Sequence, residues 1–120
     1  MVDFPVSGIY RIRFGSYTAT ILDGENWELQ CVNQGSTVTC IMKDLEGQGY
    51  LGIKYRAGNQ AVERLPDPQS WILRQTDEGI TIGQIWQGSI EYFWSLRLDD
   101  DKAIRFDRES MGWVFERAPY

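Results

Sequence analysis

Cys31 and Cys40 are the two thiols of the chain, and their spacing suits a covalent cross-link. They are symmetric about Gly35-Ser36, so a two-residue hairpin would set them directly opposite one another. Cross-strand Cβ atoms lie about 4.5–5.5 Å apart, and a disulfide needs about 3.8 Å. The pair could close in an oxidising compartment or remain two small buried thiols in a reducing one.

Three turn segments carry side chains that suit recognition by a protease. In Arg56-Ala57-Gly58-Asn59, an exposed arginine would suit a trypsin-like pocket with a buried carboxylate, and an exposed asparagine would suit an asparagine-specific cysteine protease. Arg64-Leu65 precedes Pro66 and Pro68, which lower the entropy lost on ordering a bound loop. Asp23-Gly24 occupies a comparable place earlier in the chain. The alternative for each segment is an ordinary surface turn.

An aromatic group, Trp86, Tyr92, Phe93 and Trp94, surrounds the Gln87-Gly88-Ser89 turn. Because neighbouring strand residues point to opposite faces, both faces of the strand after the turn are aromatic. An exposed ring there could stack on a sugar or form a dimer contact. Packing in the core is the alternative.

Composition argues against several other functions. The 120 residues include no histidine, so the common Ser-His and Cys-His catalytic pairs are missing and no enzyme is expected. Two thiols without histidine also predict no metal site and no cofactor. The net charge of −5, without a basic cluster, disfavours nucleic acid and anionic membranes. No signal peptide is visible, so we expect a cytoplasmic protein, with secretion left open.

The elements that must position these residues are short strands. Apolar stretches recur every 8 to 12 residues with Gly, Pro, Asn and Asp between them, a pattern typical of all-β chains. We predict about eleven strands, listed by first and last residue as Ile9–Phe14, Thr18–Leu22, Trp27–Val32, Val38–Met42, Tyr50–Tyr55, Ala61–Leu65, Trp71–Gln75, Ile80–Trp86, Tyr92–Leu98, Lys102–Phe106 and Trp113–Arg117.

Three tryptophans, Trp27, Trp71 and Trp113, stand 44 and 42 residues apart and mark an internal repeat. Around the second and third, four positions match at a constant offset of 42, namely Tyr50, Ala61, Val62 and Trp71 with Tyr92, Ala103, Ile104 and Trp113. A period of about 40 residues indicates one supersecondary unit used three times. We expect all three indoles to lie in the core.

Units two and three show four strands each, and unit one shows three. Four strands in each of three units, with a tryptophan opening the fourth, is the arrangement of a β-trefoil, so we predict a single all-β domain over 1–120 with that fold. The repeats are roughly 7–34, 35–78 and 79–118, and the first is shortened. In that fold the first and fourth strands of each unit close a six-stranded barrel, which removes exposed sheet edges. The second and third strands form hairpins at one end of the barrel.

Gly8-Ile9-Tyr10-Arg11-Ile12 near the start and Trp113-Val114-Phe115-Glu116-Arg117 at the end resemble the small mushroom (fungal) β-trefoil peptidase inhibitors. That family opens on a Gly-x-Tyr-x-Ile strand and closes on Trp-x-Phe or Trp-x-Val followed by Glu-Arg. The resemblance covers the layout of the chain and a dozen of its residues. It implies inhibition of a serine or cysteine protease through surface loops. The shortened first repeat departs from the family, since it lacks most of a hairpin that often carries a reactive loop.

A second resemblance points to sugar binding. Gln69-Ser70-Trp71 has the Gln-x-Trp form of ricin-type β-trefoil lectins, whereas the matching Glu25-Asn26-Trp27 and Met111-Gly112-Trp113 do not. From the first of the two resemblances, we expect a protease inhibitor that occludes an active site and acts as a monomer or weak dimer. The alternative is a carbohydrate-binding β-trefoil lectin that uses Trp86, Tyr92 and Trp94.

Overall fold

The computed structural model describes residues 7–14, 26–35, 37–45, 49–54, 61–86, 90–96 and 104–117. Within these ranges the chain is all-β, with strands and no helix. The strands are β1 (Gly8–Arg13), β2 (Trp27–Gln34), β3 (Thr37–Asp44), β4 (Tyr50–Gly52), β5 (Glu63–Leu65), β6 (Trp71–Thr76), β7 (Gly79–Trp86), β8 (Ile90–Leu96), β9 (Ile104–Asp107) and β10 (Val114–Arg117).

The strands form because apolar residues alternate along them and one face is buried. In β3, every second side chain is buried, from Val38 through Cys40 and Met42 to Asp44. In β1, Tyr10 and Ile12 point inward while Arg11 is exposed. The buried apolar side chains of the described residues form one cluster.

All strand pairings in the described sheet are antiparallel. The hydrogen-bonded order is β10-β1-β2-β3-β6-β7-β8-β9, while β4 pairs with β3 and β5. Two hairpins, β4–β5 and β8–β9, therefore extend from the six-strand path β10-β1-β2-β3-β6-β7. Gln34 pairs with Thr37 in the β2–β3 hairpin, which is the register that the predicted two-residue turn requires. Between β6 and β7 the chain turns at Asp77-Glu78.

The two ends of that six-strand path meet at one bridge. Ile80 in β7 donates its N–H to the carbonyl of Trp113 at 3.0 Å, and Trp113 donates its own N–H to Ile80 at 2.8 Å. Two glycines permit this approach. A Cβ on Gly112 would collide with the carbonyl oxygen of Glu78, and one on Gly79 would lie 3.0 Å from the carbonyl oxygen of Trp113.

Tryptophans fill the centre of the core, as predicted for the three repeat positions. Trp27, Trp71 and Trp113 are each at most 1% exposed. A fourth, Trp94, packs edge-to-face against Trp71 at 5.4 Å and against Trp113 at 5.5 Å between ring centroids. Each buried indole removes about 200 Å² from water, which at about 25 cal/mol/Å² stabilises the fold by several kcal/mol.

Several predicted strands differ from those observed. Tyr50–Tyr55 is shortened to Tyr50–Gly52, and Ala61–Leu65 is shortened to Glu63–Leu65. Beyond Gly52, the main chain of Ile53 pairs with the side chain of Gln69 instead of with a strand. The predicted strand Thr18–Leu22 lies outside the described residues.

Candidate functional site

The protease-recognition residues predicted at Arg56, Ala57, Gly58 and Asn59 lie outside the described residues, as do Asp23 and Gly24. The structure describes the residues on both sides of segment 55–60. Ile53 and Lys54 precede it after β4, and Ala61 and Val62 follow it before β5. We call these two flanks the stems of segment 55–60.

The first stem is held by Gln69. The amide oxygen of Gln69 accepts the N–H of Ile53 at 3.0 Å, and its Nε2 donates to the carbonyl of Ile53 at 2.9 Å. One side chain thus satisfies both main-chain groups of Ile53, as a neighbouring strand would. Gly52 is required beside it, because a Cβ there would lie 2.8 Å from Cδ of Gln69.

The second stem is held by β9. Val62 donates its N–H to the carbonyl of Ile104 at 2.9 Å, and Ala61 forms a β-bridge with Arg105. The side chain of Val62 is buried in the core. Both stems are therefore fixed to parts of the fold other than the β4–β5 hairpin itself.

Arg64 and Leu65, predicted as recognition residues, lie in β5, where both make contacts within the fold. Nε of Arg64 donates to Oδ2 of Asp44 at 2.8 Å, and its guanidinium lies 5.2 Å from the ring centroid of Trp27. The side chain of Asp44 is only 5% exposed, so this ion pair neutralises a buried carboxylate. Leu65 pairs with Tyr50 in the β4–β5 hairpin. Neither residue is presented on a protruding loop.

The predicted sugar-binding aromatics lie mainly in the core. Trp94 is 0% and Trp86 3% exposed, while Tyr92 is half-buried and packs 4.6 Å from the Trp86 ring. Phe106 packs against Trp86 on another side, at 5.0 Å. A sugar stacks on an open ring face, and Trp86 and Trp94 offer none. Of the two interpretations of this aromatic group, packing in the core is the one observed for Trp86 and Trp94.

A groove of about 490 Å³ lies where β3, β6 and β7 meet the loop that precedes β6. Its lining is uncharged and combines hydroxyl, amide and aliphatic side chains, from Thr39, Pro68, Gln69, Ser70, Ile72, Gln84 and Ile85. Ile85 is 45% exposed. Such a surface can bind a neutral ligand through hydrogen bonds and aliphatic contacts, and it offers no ionised group for acid–base chemistry.

A chain of hydrogen bonds fixes the amides of the groove. Nε1 of Trp86 donates to the amide oxygen of Gln84 at 3.1 Å, and Nε2 of Gln84 donates to the amide oxygen of Gln69 at 3.0 Å. The groove is therefore connected, through Gln69, to the first stem of segment 55–60. We did not identify this groove from the sequence. Gln69 belongs to the Gln-x-Trp motif of the sequence. Other residues that line the groove lie on β3 and β7, which are distant from Gln69 in the sequence and come together only in the fold.

The cysteines lie opposite each other in the β2–β3 hairpin, as predicted from the turn, and both are free thiols. Cys40 is buried and Cys31 partly exposed. A hydrogen bond from the Cys40 thiol lowers the pKa of Cys31, and burial opposes that effect. The same hydrogen bond, together with burial, raises the pKa of Cys40.

Among the described residues, no group of three or more His, Cys, Asp or Glu side chains is arranged to hold a metal ion. Over the same part of the chain, no helix is long and apolar enough to span a bilayer.

Comparison of the chain with protein-family models, curated proteins and solved structures found no match. The two family resemblances therefore depend on the residues quoted for them in the sequence.

Proposed function

We propose that the chain is a β-trefoil. In support, the path β10-β1-β2-β3-β6-β7 returns on itself through the Ile80–Trp113 bridge, which would close a six-stranded barrel. The β4–β5 and β8–β9 hairpins take the places of the paired second and third strands in two of the repeats. The Trp71 indole donates to the carbonyl of Leu51 in β4, and the Trp113 indole donates to that of Trp94 in β8. Each indole thus donates to the first strand of the preceding hairpin, which fits an internal repeat, although the two acceptors stand 43 residues apart and the two tryptophans 42.

We further propose that this domain inhibits a serine or cysteine protease by occluding its active site with segment 55–60. The observation that carries the proposal is the anchoring of both stems. Gln69 holds Ile53 on one side, and β9 holds Val62 on the other. Inhibitors gain affinity when the scaffold restricts the loop before binding, because less conformational entropy is lost in the complex.

Within this segment, Arg56 and Asn59 are the proposed recognition residues. Arg56 would pair with the buried carboxylate of a trypsin-like pocket. Asn59 would enter the pocket of an asparagine-specific cysteine protease. The chain would act as an obstacle and supply no catalytic group, as its sequence without histidine suggests. As a monomer it would present one such segment, and a weak dimer would present two.

Carbohydrate binding is the less supported alternative. Two of its three proposed aromatic residues, Trp86 and Trp94, are buried. The uncharged groove around Gln69 and Gln84 is the remaining surface of suitable chemistry, and it contains no aromatic residue.

An inhibition panel tests the proposal. The purified chain is titrated against trypsin-like, papain-like and asparagine-specific proteases, and in parallel against a glycan array. We expect micromolar or tighter inhibition of at least one protease and no glycan binding. Arg56→Ala or Asn59→Ala should weaken that inhibition by about tenfold or more, equivalent to about 1.4 kcal/mol.

Arg108→Ala is the matched control, because it removes an arginine that lies outside segment 55–60 and is exposed after β9. It should inhibit like the unaltered chain. Inhibition that survives both Arg56→Ala and Asn59→Ala would contradict the assignment of segment 55–60. Glycan binding without inhibition of any protease would contradict the proposed function.

A further inference from the structure

The hairpin register places Cys31 and Cys40 at a position suited to a disulfide. Two residues separate β2 from β3, so Gln34 and Thr37, which pair with each other, are the hydrogen-bonded pair that closes a two-residue hairpin. Hydrogen-bonded and non-hydrogen-bonded pairs alternate along antiparallel strands. Three steps from the turn, Cys31 and Cys40 occupy a non-hydrogen-bonded pair, where Cα atoms lie about 4.5 Å apart. This Cα–Cα distance lies within the range of roughly 4.4–6.8 Å found across disulfides.

The two thiols differ in access to solvent. Cys40 is 2% exposed and is flanked on its other side by Trp71 of β6. Cys31 is only partly buried, and its N–H is fixed by the hydroxyl of Ser7 at 2.9 Å. A dissolved reagent would therefore meet Cys31 first, with Cys40 beside it on the neighbouring strand.

The hydrogen bond between the two thiols shifts their pKa values in opposite directions. Donation from the Cys40 S–H lowers the pKa of Cys31, so Cys31 reaches its reactive thiolate form at a lower pH than an isolated thiol. Cys40 keeps its proton, because that bond and its burial raise its pKa. An accessible thiolate beside a protonated partner is the arrangement of an attacking and a resolving cysteine.

We propose that Cys31 and Cys40 form a redox-active dithiol that reduces small-molecule disulfides and closes into an intramolecular disulfide. The Cys31 thiolate attacks one sulfur of a disulfide RSSR, which forms a Cys31–S–SR bond and releases RS⁻. Cys40 then loses its proton to solvent and attacks the Cys31 sulfur, so the Cys31–Cys40 bond forms and the second RS⁻ leaves. Both RS⁻ ions take up protons. The dithiol loses two electrons, and RSSR becomes two RSH.

Oxidised glutathione is the probe for this reaction. The reduced chain is incubated with an excess of it without oxygen, quenched with acid and examined by intact mass spectrometry. We expect the monomer to lose two hydrogens and both titratable thiols, and a reductant to reverse the change. Retention of both thiols, or a disulfide-linked dimer as the main product, would overturn the proposal.

Single variants test the order of attack. Cys40→Ala should stop at a stable mixed disulfide between Cys31 and glutathione. Cys31→Ser should react at least roughly tenfold more slowly, because the remaining thiol is buried and protonated. Equal reaction rates for the two variants would overturn the assignment. Circular dichroism confirms that each is folded, and Cys40→Ser replaces Cys40→Ala if the alanine variant does not fold.

The pH dependence gives a second measurement. Iodoacetamide alkylation of Cys31 follows its thiolate fraction, so the pH midpoint should be lower in the unaltered chain than in Cys40→Ala, where the hydrogen-bond donor is gone. The same pH midpoint of alkylation in the unaltered chain and in Cys40→Ala would overturn the proposed role of Cys40.

Discussion

The side-chain amide of Gln69 forms two hydrogen bonds with the main chain of Ile53, at 3.0 Å and 2.9 Å. This pairing connects the loop before β6 to the end of β4, 16 residues earlier in the chain. This pairing fixes the point at which the chain enters segment 55–60. The amide oxygen of Gln69 also accepts a hydrogen bond from Nε2 of Gln84, which lines the groove. The proposed inhibitory segment and the groove therefore share one anchor.

Replacing Gln69 with alanine should destabilise the protein and weaken inhibition. Both main-chain groups of Ile53 lose their partner, which costs about 1–3 kcal/mol for a buried unsatisfied group. Urea denaturation measures the free energy of unfolding. Gln30→Ala is the control, since Gln30 is exposed in the middle of β2. Equal stability of the two variants would show that the Gln69–Ile53 pairing contributes nothing.

Arg64→Ala should reduce stability without reducing the inhibition shown by the folded protein. Its guanidinium pairs with the buried carboxylate of Asp44 and covers Trp27, so its removal leaves that carboxylate without this partner. A hydrogen bond to a charged group contributes about 1.5–3 kcal/mol. Thermal denaturation and an inhibition assay below the melting temperature separate the effects. A selective loss of inhibition at unchanged stability would instead make Arg64 a recognition residue.

Trp94→Ala should destabilise the core severely, by about 3–5 kcal/mol. The indole is fully buried and packs edge-to-face against Trp71 and Trp113. Val32→Ala is the control, because Val32 is 58% exposed. Its effect should stay within about 0.5 kcal/mol. A Trp94→Ala protein that keeps its stability and loses sugar binding would support the lectin alternative.

The Ile80–Trp113 bridge should protect both amides from hydrogen exchange, because each N–H is bonded to a carbonyl across the seam. Gly112→Ala should remove this protection, since its Cβ would collide with the carbonyl of Glu78. In this variant, hydrogen exchange measured by NMR should show that the amides of the β2–β3 hairpin remain protected. Gly35→Asn is the control, because no atom lies within 4 Å of a Cβ there and asparagine tolerates its φ of 73°. Rapid exchange of Ile80 and Trp113 in the unaltered chain would contradict the proposed closure of the barrel.

Strand positions and much of the core could be predicted from local sequence, because alternation and turn residues act over a few positions. Cys31 and Cys40 were placed opposite one another because the turn at Gly35-Ser36 sets the register. The burial of Trp27 and Trp71 followed from their shared repeat position.

Pairings between distant side chains could not be predicted in this way. Arg64 lies next to prolines and has the composition of an exposed loop residue, but in the fold it neutralises Asp44, which is 20 residues away. Trp94 follows Phe93 on a strand that is aromatic on both faces, so the pattern did not show which ring faces inward. Those contacts depend on how β4, β5 and β8 pack onto the other strands.

The most direct test of the proposed occlusion is whether the chain binds a protease whose active site is already filled. The protease that responds best in the inhibition panel is divided, and one portion is inactivated with a small covalent active-site reagent. Binding of each portion to the immobilised chain is then measured by surface plasmon resonance. We predict that the free enzyme binds and that the blocked enzyme binds at least roughly 100-fold more weakly, a difference of about 2.7 kcal/mol. Equal binding of the two portions would contradict occlusion of the active site.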